Sequence, residues 1–411
     1  MNIVVIGGGA AGFFGALAAA EAHPAAKITI LEQSPNLLGK VKISGGGRCN
    51  VTHACFEPKE LVKFYPRGGK ELLGPFHRFM TGDTMGWFED RGVELKIEAD
   101  GRVFPISDDS QTIIDCFLKE AKKLNIQIQV KTKVLGLTPP ENNGADWQVH
   151  TKTKIWEANR VLLASGSNPA TWRWLSALGH KLVAPVPSLF TFNLKDQRIA
   201  SLPGLSVGEA ELQVQGHKSL RSEGPLLVTH WGLSGPAILK LSAWGARELH
   251  DQAYHFDLLV NWRAGKGVEY WNNQWQQARQ QYPKRQIQKD APEGLPQRLW
   301  KQLAKQAGIG PETRWADLNK VQGQALSEEL SLGRYEVRGK STFKEEFVTC
   351  GGLDLKEVNF KTMQSRLFPG LFFAGEVLNI DAVTGGFNFQ AAWTTGWIAG
   401  QAMGLQAGEQ R

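Results

Sequence analysis

Hydrophobicity changes period twice near the start of the chain. Ile3-Val4-Val5-Ile6 is a continuous apolar run, the pattern of a strand covered on both faces. Residues 10–22 then carry Ala, Phe and Leu in a helical pattern, and residues 27–31 (KITIL) return to a strand. No charge falls between Ile3 and Ala20, a run that reaches the lower edge of a membrane span. Gly and Ala supply much of it, however, and only Met1 and Asn2 precede it, so neither an anchor nor a signal peptide is expected. Strand, helix and strand in that order predict a βαβ unit.

Farther on, the same reading predicts strands at 127–134 and 161–164. A helix follows, with Asn168 as its cap, Pro169 at its first position and Gly179 past its end. Pro185 and Pro187 mark an exit from this domain. Short runs at 188–194, 209–214, 225–230 and 254–262 predict a small, mainly antiparallel unit with turns at Gln215-Gly216 and Glu223-Gly224. A helix from Pro236 to about His250 interrupts them, and the chain turns helical from 268 to about 329, as at 295–307. It returns to the first domain near Phe347, with a strand at 371–374 and a helix over 389–399. The expected fold is α/β: a Rossmann-like domain split by an inserted antiparallel β domain and a helical segment. The expected bounds are 1–187, 188–262, 263–345 and 346–411.

The chemistry lies in the turns. Gly7-x-Gly9-x-x-Gly12 sits between the first strand and helix, and Glu32 ends the second strand. This is the dinucleotide-binding fingerprint in its structural context. Gly7 permits the tight turn, Gly9 lets the backbone approach a pyrophosphate, and Gly12 lets helix and strand pack closely. The helix N-terminus offers N–H groups and partial positive charge. Glu32 accepts from a ribose hydroxyl pair and repels a 2′-phosphate. Gly45-Gly46-Gly47 is bare backbone flanked by Lys40, Lys42 and Arg48, suited to a ligand flat in one part and anionic in another. Gly385-Gly386-Phe387-Asn388 opens the last helix, whose positive end suits a flavin ring that becomes anionic on reduction. The fingerprint by itself does not choose between FAD and NAD, and each later glycine cluster alone also reads as a surface turn.

The segments GGGAAG…E, KISGGGRCNVTH, THWGLSGPAIL, EGLPQRLWKQL and VTCGGLDLKEVNFKTMQSRLFPGLFFAGEVLNIDAVTGGFNFQAAWTTGWIAG resemble, in order, the landmarks of the BaiN-type flavoproteins. These are also described as the aminoacetone oxidase family, within the glutathione-reductase-like two-domain flavoproteins. The resemblance spans nearly the whole chain and implies an FAD-binding oxidoreductase. Carried over residue by residue, it implies cofactor contacts at Gly7, Gly9, Ala10, Ala11, Gly12, Glu32, Gln33, Lys40, Ser44, Gly45, Gly46, Arg48, Cys49 and Asn50. It adds Ala164, Ser165 and Gly166, then Gly375, Glu376, Asp381, Gly386, Phe387 and Asn388. Position alone puts the backbone of Val134 near the adenine. The family usually follows the strand at 161–164 with a longer glycine-rich loop. Here SGSNPATWRWLSALGH puts a helix there, which leaves the transfer of a family substrate open.

Composition narrows the class. A chain of 411 residues, 42% hydrophobic and 21% charged, fits a water-soluble globular protein of two or three domains. Cys49, Cys55, Cys116 and Cys350 form no C-x-x-C pair, so reduced thiols and a cytoplasmic location are expected. The net charge is +7, and residues 261–345 hold 15 Lys and Arg against 9 Asp and Glu. Trp262, Trp271, Trp275, Trp300 and Trp315 lie in the same stretch. A helical insertion with Trp inward and cations in water is the favoured reading. RNA contact is the alternative, although no RNA-binding motif is present.

No metal-ligand spacing or G-x-S-x-G elbow occurs in the sequence. His230, in THWGLSGP, is expected to hold a structural hydrogen bond to its turn, a flavin-facing acid or base being the alternative. Cys49 is expected as a small residue near the cofactor rather than half of a dithiol with Cys350. The expected function is hydride transfer between a small-molecule substrate and FAD, with catalytic residues unassigned. No second G-x-G-x-x-G marks a nicotinamide domain, so NAD(P)H or another reductant is left open. An RNA-modifying flavoprotein and a non-catalytic flavin redox sensor are the other classes.

Overall fold

The computed structural model describes residues 1–141, 145–341 and 348–404. The chain forms two compact units, Met1–Val186 with Val348–Arg411, and Pro187–Phe347. The return expected near Phe347 lies outside the described residues. No described helix is long and apolar enough to cross a membrane.

The first unit is built on a seven-stranded sheet. Its strands run in the order Val358–Asn359, Gln364–Ser365, Leu371–Phe373, Arg160–Leu163, Asn2–Ile6, Lys27–Leu31, Gln127–Gln129. The last five pair in parallel, Val4 lying opposite Val161 on one side and Thr29 on the other. Val4, Val5 and Ile6 are buried because helices cover the sheet, which is why the run is apolar without alternation. The chain leaves Asn2–Ile6 in one direction and returns on its other side at Arg160–Leu163. That makes the carboxyl end of this strand a topological switch point, where such sheets bind ligands.

Helix Ala10–Ala22 is almost wholly buried, and its small residues explain how. It packs against the last helix, Phe387–Gly404, with glycine facing backbone. A Cβ at Gly396 would lie 2.7 Å from the Ala11 carbonyl oxygen, and one at Gly400 would lie 2.6 Å from Ala18 Cβ. The last helix begins at Phe387 and ends at Gly404, longer at both ends than the expected 389–399. The strand expected at 127–134 is two strands in two sheets. Gln127–Gln129 closes the parallel sheet, and Val134–Thr138 opens a three-stranded meander with Trp147–Thr151 and Ile155–Ala158. Lys131, at φ +53°, and the Thr132 N–H donating to the Glu32 carbonyl turn the chain between them. A smaller antiparallel sheet joins Thr52–His53, Arg102–Pro105 and Leu95–Ile97.

The second unit is an all-antiparallel seven-stranded sheet ordered Gly333–Arg338, His255–Asn261, Ser206–Val214, Arg221–Thr229, Gly232–Ser234, Thr191–Asn193, Lys340–Ser341. The stretch read as helical thus also holds a strand, Gly333–Arg338, whose residues alternate strictly between buried and exposed. Glu223-Gly224 is no turn. It lies inside Arg221–Thr229, where the pairing with Ser206–Val214 shifts register between Val207 and Ala210 and Gly224 takes φ +141°. The run at 188–194 breaks at Leu189, φ +55°, into Leu182–Ser188 and Thr191–Asn193. The helix expected to reach His250 divides at Gly245 into Pro236–Trp244 and Ala246–Asp251.

All five Trp of the basic stretch are buried in one core. Trp275 stacks on Trp271 and on Trp315, both at 5.3 Å, and donates to Ser327 Oγ at 2.8 Å. They fill the space between helices and sheet and offer no exposed stacking platform.

Candidate FAD site

The fingerprint turn folds as its glycines require. Gly7 has φ +115°, and a Cβ there would strike the Ala164 carbonyl. A Cβ at Gly12 would overlap the Gly7 carbonyl oxygen. At Gly9 a Cβ would meet nothing within 4 Å, so this backbone faces open space. Gly9 is the N-cap of Ala10–Ala22, with no side-chain cap and no acidic residue in the first turn. The first N–H groups of an 13-residue helix are thus presented beside that space, as an anion site requires. Glu32 accepts from the Gly8 and Ser34 N–H groups, each at 2.7 Å. Its carboxylate is fixed, and its remaining lone pairs can accept from a diol. Gln33 beside it is exposed. Val134 is buried two residues beyond Thr132, which bonds to Glu32.

Other predicted residues close on this turn. The Ala164 N–H donates to the Ile6 carbonyl at 2.9 Å. Gly166, at φ +63°, would place a Cβ 3.8 Å from Glu376 Oε2. Lys40 Nζ lies 2.5 Å from the same oxygen. A Cβ at Gly375 would come within 2.9 Å of Ala11 Cβ. Ser165 turns its hydroxyl toward Thr171 at 2.8 Å. The helix at Pro169–Ala177, capped by Asn168 as expected, sends Trp172 Nε1 to the Val377 carbonyl at 3.0 Å. It therefore supports the Gly375–Val377 turn, in the place where the resembling family usually has a longer loop.

A second cradle follows. Gly45, Gly46 and Gly47 all have positive φ, between +59° and +86°, and Cβ atoms at Gly46 or Gly47 would meet nothing within 4 Å. Ser44, just before them, bonds back to the Val41 carbonyl. Arg48 is not a free cation. It pairs with Glu98 at 2.6 Å and lies 3.9 Å over the Phe104 ring, and the bond to Glu98 holds its pKa above the usual value. Cys49 is buried at φ +62°, and burial pushes its thiol up to about 12, so it is no nucleophile at neutral pH. All four cysteines are thiols outside any disulfide.

The glycine turn at 385–388 meets this cradle directly. The Asn50 amide spans it, accepting from Gly386 N–H at 3.0 Å and donating to the Thr52 carbonyl at 2.9 Å. A Cβ at Gly386 would lie 2.5 Å from the Thr52 oxygen. Thr52 Oγ1 donates to Gln390 Oε1 at 2.6 Å, and Tyr65 donates to the Phe387 carbonyl at 2.6 Å. Asn388 exchanges two bonds with the Ala382 backbone. Asp381 is fully buried, and Arg67 Nε donates to it at 2.6 Å. Within the first unit the structure therefore sets the Gly386 turn against Asn50 and Thr52, just past the Gly45–Gly47 cradle, and the Gly375 turn against Ala11 of the fingerprint helix. Arg67, Tyr65, Trp172 and Gln390 were not foreseen. They act on partners hundreds of positions away, and no local spacing marks them.

His230 differs from expectation. It is exposed at the turn between Arg221–Thr229 and Gly232–Ser234, and among the described residues its ring makes no hydrogen bond. The turn is held by backbone instead, the Leu194 N–H donating to the Trp231 carbonyl at 2.9 Å.

Residues 1–402 match the family model described as HI0933-like protein Rossmann domain. Among curated proteins, the chain is 27% identical to the ribosomal RNA dihydrouridine synthase of Escherichia coli over 97% of both chains. It is 26% identical to the 3-dehydro-bile acid delta(4,6)-reductase of Clostridium scindens over 98% of both. Among solved structures, it resembles a 3-ketosteroid-delta4-(5alpha)-dehydrogenase from Rhodococcus jostii, at a TM-score of 0.53 and 15% identity, covering 98% of this chain and 96% of that one. This last likeness speaks to fold alone.

Proposed function

The chain belongs to the HI0933-like Rossmann family of FAD-binding oxidoreductases, and from that premise we propose that it reduces a carbon–carbon double bond conjugated to a carbonyl. The observation that carries this reading is the agreement of two relatives. Dihydrouridine formation and Δ(4,6) reduction differ in substrate, yet both saturate such a bond. Bound FAD supplies the two-electron chemistry, and the protein supplies binding, orientation and electrostatics.

The residues of the first unit fit those tasks. The N–H groups after Gly9 take the pyrophosphate, and Glu32 takes a ribose diol. The open backbone of Gly45–Gly47 lets a flat ring approach without a side chain intervening. The positive end of Phe387–Gly404 favours negative charge on that ring. The acids around the turn are committed to structure: Asp381 to Arg67, Tyr65 to the Phe387 carbonyl, Glu376 to Lys40. Each has a protein partner, so they shape the turn that would face the cofactor.

Anaerobic reduction of the flavoprotein, followed by addition of an unsaturated ketone or a uridine-containing RNA, tests the reading. Return of the oxidised flavin spectrum with formation of the saturated product supports it. A reduced flavin that neither class reoxidises sinks it. RNA is favoured as a second form of substrate by the E. coli relative and by Lys284, Lys289, Lys301, Lys305 and Arg314, exposed cations that pair with no acid among the described residues. Retention of RNA that weakens steeply with salt separates the two forms.

A further inference from the structure

His53 lies against the Gly385–Phe387 turn and has no assigned role. It ends the strand Thr52–His53 and is half-buried. Its Nδ1 sits 3.2 Å from the Gly385 carbonyl oxygen. A carbonyl only accepts, so Nδ1 carries the hydrogen and donates it. The imidazole stacks on Phe387, with centroids 4.5 Å apart, and Phe387 stacks on Phe64 at 4.2 Å. Its far edge faces Gly101, where a Cβ would come within 2.7 Å of Nε2. The ring is thus clamped between the turn around Gly101 and the Gly385–Phe387 turn. Burial lowers its pKa, opposed by the Gly385 bond and Asp100 and reinforced by Arg102, which favours the neutral ring.

The turn needs such a clamp. Gly385 and Gly386 have φ of +128° and +94°. Glycine reaches these conformations without strain but also leaves them freely, so neighbours must hold them. Asn50 fixes the Gly386 N–H, and His53 fixes the Gly385 carbonyl.

We infer that His53 is a positioning residue for the flavin: its bond to Gly385 and its stack on Phe387 hold the Gly385–Gly386 turn in shape and thereby set the affinity and potential of bound FAD. The inference rests on FAD lying against this turn.

Three variants separate the contributions. His53→Phe keeps the stack and drops the bond, His53→Asn keeps a donor, and His53→Ala keeps neither. The readouts are the FAD dissociation constant of the deflavinated protein and the midpoint potential of the reloaded one. His53→Ala and His53→Phe are expected to weaken FAD by roughly tenfold, the effect of orphaning one half-buried carbonyl, and to shift the potential. His53→Asn is expected to recover most of both. Wild-type affinity and potential in the Ala and Phe variants overturn the inference. Equal loss in all three, with a matching fall in melting temperature, overturns it too, because that marks a general structural role. Gly386→Ala distinguishes the underlying reading: its Cβ would strike Thr52, and unchanged FAD binding there removes the site itself from this turn.

Discussion

One methyl group at Gly400 tests whether the helix seam holds the two glycine turns together. A Cβ there would strike the Gly15 carbonyl oxygen and lie 2.6 Å from Ala18 Cβ and 2.9 Å from Ala19 N, where ordinary contact begins near 3.4 Å. Backbone atoms cannot rotate aside, so the helices must part. Overpacking a tight core costs about 1–3 kcal/mol, and simultaneous contacts put this case near 3. Ala in place of Gly within a helix returns about 1 kcal/mol. Gly400→Ala should therefore destabilise the protein by about 2 kcal/mol. Gly86, within helix Thr81–Glu89, supplies the control: its Cβ would meet nothing within 4 Å, so Gly86→Ala should stabilise by up to about 1 kcal/mol. At about 2–4 °C per kcal/mol for a domain of this size, the cofactor-free variants should melt roughly 6–12 °C apart. FAD affinity should fall in Gly400→Ala alone. A Gly400→Ala protein that melts with or above Gly86→Ala refutes the reasoning.

Glu32→Ala removes the acceptor for two backbone N–H groups and a ribose diol, and should weaken FAD by roughly 10–100-fold in a fluorescence titration. Arg198 is 8% exposed and bridges Asp196 and Glu329 at 2.6 and 2.7 Å, so Arg198→Met should cost about 3 kcal/mol in urea unfolding by stranding two carboxylates. Burial, opposed by Glu357, lowers the pKa of His180. The unfolded chain then takes up the proton first, so stability should fall as pH drops below about 6.5, and His180→Gln should flatten that fall in melts across pH. Brief alkylation of the native protein should modify Cys55 and spare Cys49 and Cys116, whose thiols burial raises to about 12 and about 11, as peptide mass spectrometry would register.

The fingerprint was legible because its logic is local: Gly7, Gly9 and Gly12 act on a turn a few residues long, and the helix bounds 10–22 and the Asn168 cap follow from the same short range. What pairing decides was not legible. Glu223-Gly224 has turn chemistry, yet a neighbouring strand pairs it with Glu211 and Ala210, beside a register shift. Lys40 and Arg48 read as free cations because their acids, Glu376 and Glu98, lie 336 and 50 positions away. The contact of Asn50 with Gly386 is long-range in the same way. Lys40, Arg48, Glu376, Asn50 and Gly386 were noted in the sequence and Glu98 was not, and only the fold says which of them are partners.

The seam between Ala10–Ala22 and Phe387–Gly404 also governs when this protein can finish folding. Gln401 reaches the Ala18 carbonyl across 383 positions of sequence. At about 5–20 residues per second, the earliest helix leaves the ribosome some 20–80 s before its partner is made. Meanwhile the stretch 187–347 can close on itself, since its sheet and core draw on one continuous run of chain. The nascent chain thus carries a finished module beside an unfinished one whose Ala- and Phe-rich helix is bare, and chaperone demand should peak in that interval.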